Sequence, residues 1–301
     1  MLYRGLGKGV RRLNYPQLLF LGAIAGFTIF LGLPLALLQG VSSRKKGFLN
    51  AIAIGILVFL IIDVFGHAWD TASGVAAEAI VGKASTGTAF LDLLAVFGGI
   101  AIGLLGLVFY ESKYMTRTIA AAAPTPKTTE KTSTGGTVLL LHDQVLEEIS
   151  AYKLAIMIAI GIGAHNFSEG LAIGQSYAAG SISLALILII GFGAHNATEG
   201  FGISSPLTRL QNRPSTRFLT LAGLVGGGPT FLGTLTGSLI GVSDFTYILF
   251  LSIAGGALVY VSMLMYNTGR RQTTNRVLMI GIFVGLCAGF LTDLIVTVGG
   301  A

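Results

Sequence analysis

Charge is what this chain is shortest of. Asp, Glu, Lys and Arg make up 11% of its 301 residues, against roughly 25% in soluble domains. So little charge excludes a soluble domain with one anchor. With a mean hydropathy of +0.79, it predicts a polytopic membrane protein. Cysteine is nearly absent. Cys287 stands alone in an apolar run, which excludes an internal disulfide and says nothing of redox compartment. Two metalloenzyme signatures are also missing. There is no His-Glu-x-x-His, whose glutamate acts as a base beside zinc, and no Glu-x-x-His pair of the di-iron bundle kind. No enzyme and no catalytic cofactor are therefore expected. The net charge of +6 does not indicate a nucleic-acid partner, because the basic residues sit in short connections between apolar runs.

Long apolar runs and glycine are what the chain has in excess. The 43 glycines are about twice the usual share of roughly 7%, as suits helices packed closely in a bilayer. A span needs about 20 mostly apolar residues. Eight runs qualify: 16–39, 47–68, 88–110, 152–176, 181–205, 218–241, 246–267 and 277–299. The first follows Arg4, Lys8, Arg11 and Arg12 and so resembles a signal peptide. Its apolar stretch exceeds the usual core of about 7–15 residues and lacks an evident cleavage site, so it reads as a span. Gly226-Gly227-Gly228-Pro229 is expected to break or kink the sixth.

Loop charge predicts the sidedness. With both termini extracytoplasmic, 14 of the 19 basic residues face the cytoplasm, among them Arg44, Lys45, Lys46, Arg270, Arg271 and Arg276. Lys83 and the four N-terminal residues remain outside. The expected organisation is a single polytopic domain over 1–301 in the inner or plasma membrane. Its one long connection, 112–150, is rich in Ala, Thr and Pro and is expected to be a disordered cytoplasmic loop. An amphipathic helix over 138–149 leads out of it. His142 in that segment is read as solvated.

Two near copies of one motif carry the chemistry. Gly161-Ile-Gly-Ala-His-Asn-Phe-Ser-Glu-Gly170 and Gly191-Phe-Gly-Ala-His-Asn-Ala-Thr-Glu-Gly200 each lie mid-span. Ionisable groups are costly there and mark an ion or substrate path by default. On a helix, His165 and Glu169 share a face, with Asn166 one step round. His195, Glu199 and Asn196 repeat the pattern. Spans four and five are joined by a short loop, so they run antiparallel and bring both motifs to one depth. Imidazole and carboxylate donors suit Zn²⁺, and they also admit Fe²⁺ and Mn²⁺. Asn166, Glu169, Asn196 and Glu199 could build a second, weaker site. The competing reading is a polar clasp between helices without an ion. Ser168 and Thr198 are expected to bond local backbone.

Span two offers another polar line. Asp63, His67 and Asp70 share a face and climb towards the outer mouth, as a candidate entry path. The alternative is that Asp63 and His67 only pair with each other. Asp293 in span eight is a weaker case of the same kind. Glu78, Asp92 and Asp244 stand against a single Lys83 in the outer loops and span ends, a sign asymmetry that gathers cations.

His165-Asn166-Phe167-Ser168-Glu169-Gly170, its counterpart around His195, and the eight-span layout together resemble the ZIP (Zrt/Irt-like) family of metal-ion transporters. The resemblance implies divalent metal uptake into the cytoplasm. It implies a main site of His165, Glu169, His195 and Glu199, adjoined by Asn166 and Asn196. Many members carry Glu before Pro in span six, completing a two-metal centre; here Gly228 precedes Pro229. Members often have a His-rich loop, where this chain has His142 alone. The expected partners are a divalent metal ion as substrate and the lipid bilayer, with a homodimer admissible. The rival functions are a membrane metal sensor or scaffold without transport, a proton or monovalent-cation pathway, and, further off, an intramembrane metalloenzyme.

Overall fold

Backbone polar groups have no water to bond in hydrocarbon, so each apolar run must satisfy them internally as a helix. The computed structural model describes residues 13–37, 42–115, 135–210, 212–241 and 243–298. Among these it contains eight long α-helices: α1 Tyr15–Phe27, α2 Ser43–Ile80, α3 Thr86–Tyr110, α4 Gly135–Ala178, α5 Ile182–Ser204, α6 Thr216–Leu239, α7 Asp244–Gln272 and α8 Asn275–Val298. Among the described residues, eight segments are long and apolar enough to cross a membrane. The protein is an all-α, eight-span membrane protein.

Several boundaries differ from the sequence expectation. The first span is α-helical only to Phe27, then tightens into 3-10 turns at Thr28–Leu31 and Leu33–Leu37. Thr28 Oγ1 bonds the Ala25 carbonyl at 2.7 Å where the change begins. Helix α2 is far longer than its apolar core and continues to Ile80. Helix α4 begins at Gly135, so the 138–149 segment and span four are one continuous helix. Of the expected 112–150 loop, Glu111–Met115 forms a π turn, and residues 116–134 lie outside the described residues. Helix α6 runs through Pro229 unbroken, although proline offers no N–H to the Val225 carbonyl.

Glycine decides which helices touch. A Cβ at Gly26 would fall closer than 3.0 Å to the Gly227 carbonyl of α6, and one at Gly170 equally close to the Thr230 carbonyl. Gly200 meets Ile29 in the same way. These contacts lock α1, α4, α5 and α6 into one group. Gly103 against Ile253, Gly285 against Ile52 and Gly255 against Phe65 lock α2, α3, α7 and α8 into another. Among the described residues, every glycine approach below 3.0 Å lies inside one group. Between the groups, a Cβ at Gly161 would meet Ala257 Cβ and Leu258 Cδ2 at 3.7 Å, an ordinary van der Waals distance. A hydrogen bond from Ser205 Oγ to Asn50 Oδ1, 3.1 Å, also joins the two groups.

Close packing of this kind leaves no room for a larger side chain, and overpacking costs about 1–3 kcal/mol or more. Gly103→Val is therefore expected to lower the thermal midpoint of the detergent-solubilised protein. Gly98→Ala should not, since a Cβ at Gly98 meets nothing within 4 Å. Equal behaviour of the two variants in a thermal-shift measurement would contradict the packing described.

Candidate metal centre

The i, i+4 spacing in α4 does what helical geometry requires. His165 and Glu169 lie on one face, with His165 Nε2 3.2 Å from Glu169 Oε1. Helix α5 brings Glu199 to the same place, its Oε1 4.0 Å from His165 Nε2. All three side chains are deeply buried, at 2%, 6% and 0% exposure. A buried His/Glu cluster thus sits between spans four and five. Glu169 Oε2 has no hydrogen-bond partner among the described residues, an orphaned acceptor that a cation would satisfy.

The two asparagines have different neighbours. Asn166 Nδ2 donates to Glu199 Oε2 at 2.8 Å and to the Gly226 carbonyl of α6 at 3.0 Å. It ties α4, α5 and α6 together around the carboxylate. Asn196 Nδ2 instead donates to the Ala25 carbonyl of α1 at 2.9 Å. Its amide group thus ties α5 to α1. Ser168 Oγ reaches the Ala164 carbonyl at 3.4 Å. The backbone of His195 is part of α5, but its side chain lies outside the described residues; the same holds for His142 in α4. Among the described residues no group of three His, Cys, Asp or Glu is drawn close enough to hold a metal ion.

Helix α6 reaches the cluster through the Gly226 carbonyl. Gly228 faces away from the cluster: a Cβ there meets nothing within 4 Å. It lies on the same stripe as Leu221, Leu224 and Leu232, all exposed. In this arrangement, a side chain at position 228 would start towards the bundle's exterior.

A cavity of about 170 Å³ reaches the cluster from one end of the bundle. His165 and Glu169 stand at its floor, with Ala172, Leu188 and Phe192 of α4 and α5 on one wall. Phe59, Asp63 and His67 of α2, with Tyr247, Asp293 and Thr297, form the other. The two walls belong to the two helix groups. Its outer lining, His67, Tyr247, Asp293 and Thr297, lies towards the end where α2 and α8 finish and α7 begins. Glu199, Asn166 and Asn196 are not on its lining. Of the candidate entry residues, Asp63 and His67 line it, with His67 Nδ1 3.5 Å from Asp63 Oδ1. The His67 side chain is 62% exposed against 3% for His165, which separates mouth from floor. Asp70 is exposed and off the lining. Tyr247 was missed in the sequence, where a tyrosine near a span's start carries no signal. Asp293, a lone acid in an apolar run, carried a weak one.

Residues 110–297 match the model of the Zip family, described as ZIP zinc transporter. The match covers more than half of the chain and includes both copies of the motif. No curated protein matches the chain.

Asn166→Ala removes the donor that serves Glu199 and the Gly226 carbonyl together. Losing a buried hydrogen-bond partner costs about 1–3 kcal/mol, so a clear drop in thermal midpoint is expected. An unchanged midpoint would mean that the amide does not hold the cluster together.

Proposed function

The chain belongs to the ZIP zinc transporter family, and from that premise we propose that it moves a divalent transition metal into the cytoplasm by alternating access. The family is one of transporters and not of enzymes. Zinc is the leading substrate, and the donor set also admits iron or manganese. The proposed ligands are His165, Glu169, His195 and Glu199, with Asn166 and Asn196 beside them. The observation that carries this reading is the one-ended cavity with His165 and Glu169 at its floor. Asp63 and His67, joined by Asp293, would receive the ion at the mouth, with Asp70 further out. Their carboxylates attract cations, and the imidazole offers a nitrogen donor.

The direction rests on loop charge. The cavity opens at the end that carries Glu78 and Asp244, and the opposite end carries Arg44, Lys45, Arg270, Arg271 and Arg276. By the excess of Lys and Arg on cytoplasmic loops, the cavity faces outwards and both termini are extracytoplasmic. Release would follow movement of one helix group against the other, as transporters with midplane sites do. The division of close glycine contacts between the two groups supports it. Each group is locked within itself, while Gly161, the described glycine that faces across the seam, meets α7 at ordinary distance.

Uptake of radiolabelled zinc, iron and manganese into proteoliposomes tests the proposal. We expect saturable flux of at least one metal, abolished by Glu169→Ala combined with Glu199→Ala. Flux unaffected by that pair overturns the site, and tight binding without flux would make the protein a sensor or scaffold. A second experiment tests the moving seam. The 3.7 Å separation between a Cβ at position 161 and that of Ala257 matches disulfide geometry, about 3.8 Å between Cβ atoms. Gly161→Cys with Ala257→Cys, in a Cys287→Ser background, should stop transport when oxidised and regain it on reduction. Full transport by the oxidised form would contradict relative movement at this seam.

A further inference from the structure

A cavity of about 300 Å³ lies far from the metal path, at the basic end of the bundle, and is lined by Arg44, Lys45 and Phe48 of α2 and Val277 and Ile280 of α8. Its floor is apolar and its rim is cationic. Arg276 precedes Val277 at the start of α8 and adds a third positive charge. Among the described residues no acid pairs with Arg44, Lys45 or Arg276, and the first turns of α2 and α8 contain no acidic residue. The two helices run parallel here, since Gly281 packs on Ala51 and Gly285 on Ile52. Both therefore present N-terminal ends, which favour anions, although at α8 the Val277 N–H is already taken by Thr274 Oγ1 at 3.5 Å. The α2 cap residue Ser42 makes no side-chain bond to those groups. Both helices begin their membrane crossing at this level.

From this we infer a binding site for one anionic phospholipid between α2 and α8, in the leaflet at the basic end. The headgroup phosphate sits against Arg44, Lys45 and Arg276, and an acyl chain lies over Phe48, Val277 and Ile280. A soluble anion would leave the apolar floor bare, and a neutral lipid would leave the rim uncompensated, so the two halves together select an anionic amphiphile. Basic pockets between spans are known to take such headgroups, and long basic side chains lie along apolar surface with their charges at the interface. The site belongs to the α2, α3, α7, α8 group. A lipid held there would anchor that group in its leaflet, whichever group moves during transport.

Native mass spectrometry of the full chain, taken from bilayers of equal phosphatidylcholine and phosphatidylglycerol, tests this. The wild type should retain one phosphatidylglycerol in preference to phosphatidylcholine by at least fivefold, and millimolar inorganic phosphate should not displace it. Arg44→Gln with Lys45→Gln should abolish the preference. Ile280→Trp, which fills the floor and keeps every charge, should weaken retention of the lipid. Arg270→Gln with Arg271→Gln removes as much charge from the end of α7 and should leave retention unchanged. A wild type without preference overturns the proposal whatever the variants do. So does equal loss in the Arg270/Arg271 variant, which would mean attraction to overall charge, and so does displacement by phosphate alone.

Discussion

Burying His165, Glu169 and Glu199 in the middle of an apolar bundle is the costliest thing this chain does, and the surrounding helices are arranged around it. A charge at the bilayer centre is unfavourable by several kcal/mol unless it finds partners. Here the cluster supplies its own. The ring of His165 lies 3.2 Å from Glu169, and Asn166 donates to Glu199. The glycines flanking both motifs let neighbouring backbones come close enough for this. Gly163 and Gly170 sit against α6, and Gly200 against the 3-10 turn after α1. A side chain at any of them would push the cluster apart.

The same contacts assign the cluster to one half of the molecule. Asn166 bonds the Gly226 carbonyl of α6 and Asn196 bonds the Ala25 carbonyl of α1. Each motif is thereby fastened to an outer helix of its own group. The facing wall of the cavity, with Asp63, His67, Tyr247 and Asp293, belongs to the other group. An ion held at the floor would travel with its ligands if the groups moved. An ion at the mouth would stand between the two. The proposed transport cycle follows from that division of labour.

Much of this was legible in the sequence, and the physical reasons are specific. The span count follows from the length of hydrocarbon to be crossed, and all eight runs are helical in their described residues. The pairing of His165 with Glu169 follows from 3.6 residues per turn, and the approach of Glu199 from a short connection between two antiparallel spans. What periodicity could not supply was neighbourhood. Every span is apolar, so composition does not say that α4 packs along α6 or α2 along α8. The direction of Asn196 towards α1 depended on that knowledge, and so did the outward face of Gly228. Helix boundaries beyond the hydrocarbon were also hidden, because polar residues such as those of 70–80 in α2 read equally well as loop.

In the proposed centre, the doubled motif holds a transition metal through both imidazole and carboxylate. X-ray absorption at the metal edge of the protein purified with zinc tests it directly. About one zinc per chain is expected, in a shell of nitrogen and oxygen donors with the outer scattering of imidazole, lost in the Glu169→Ala, Glu199→Ala variant. A shell of oxygen alone, or a zinc signal unchanged in that variant, would contradict it.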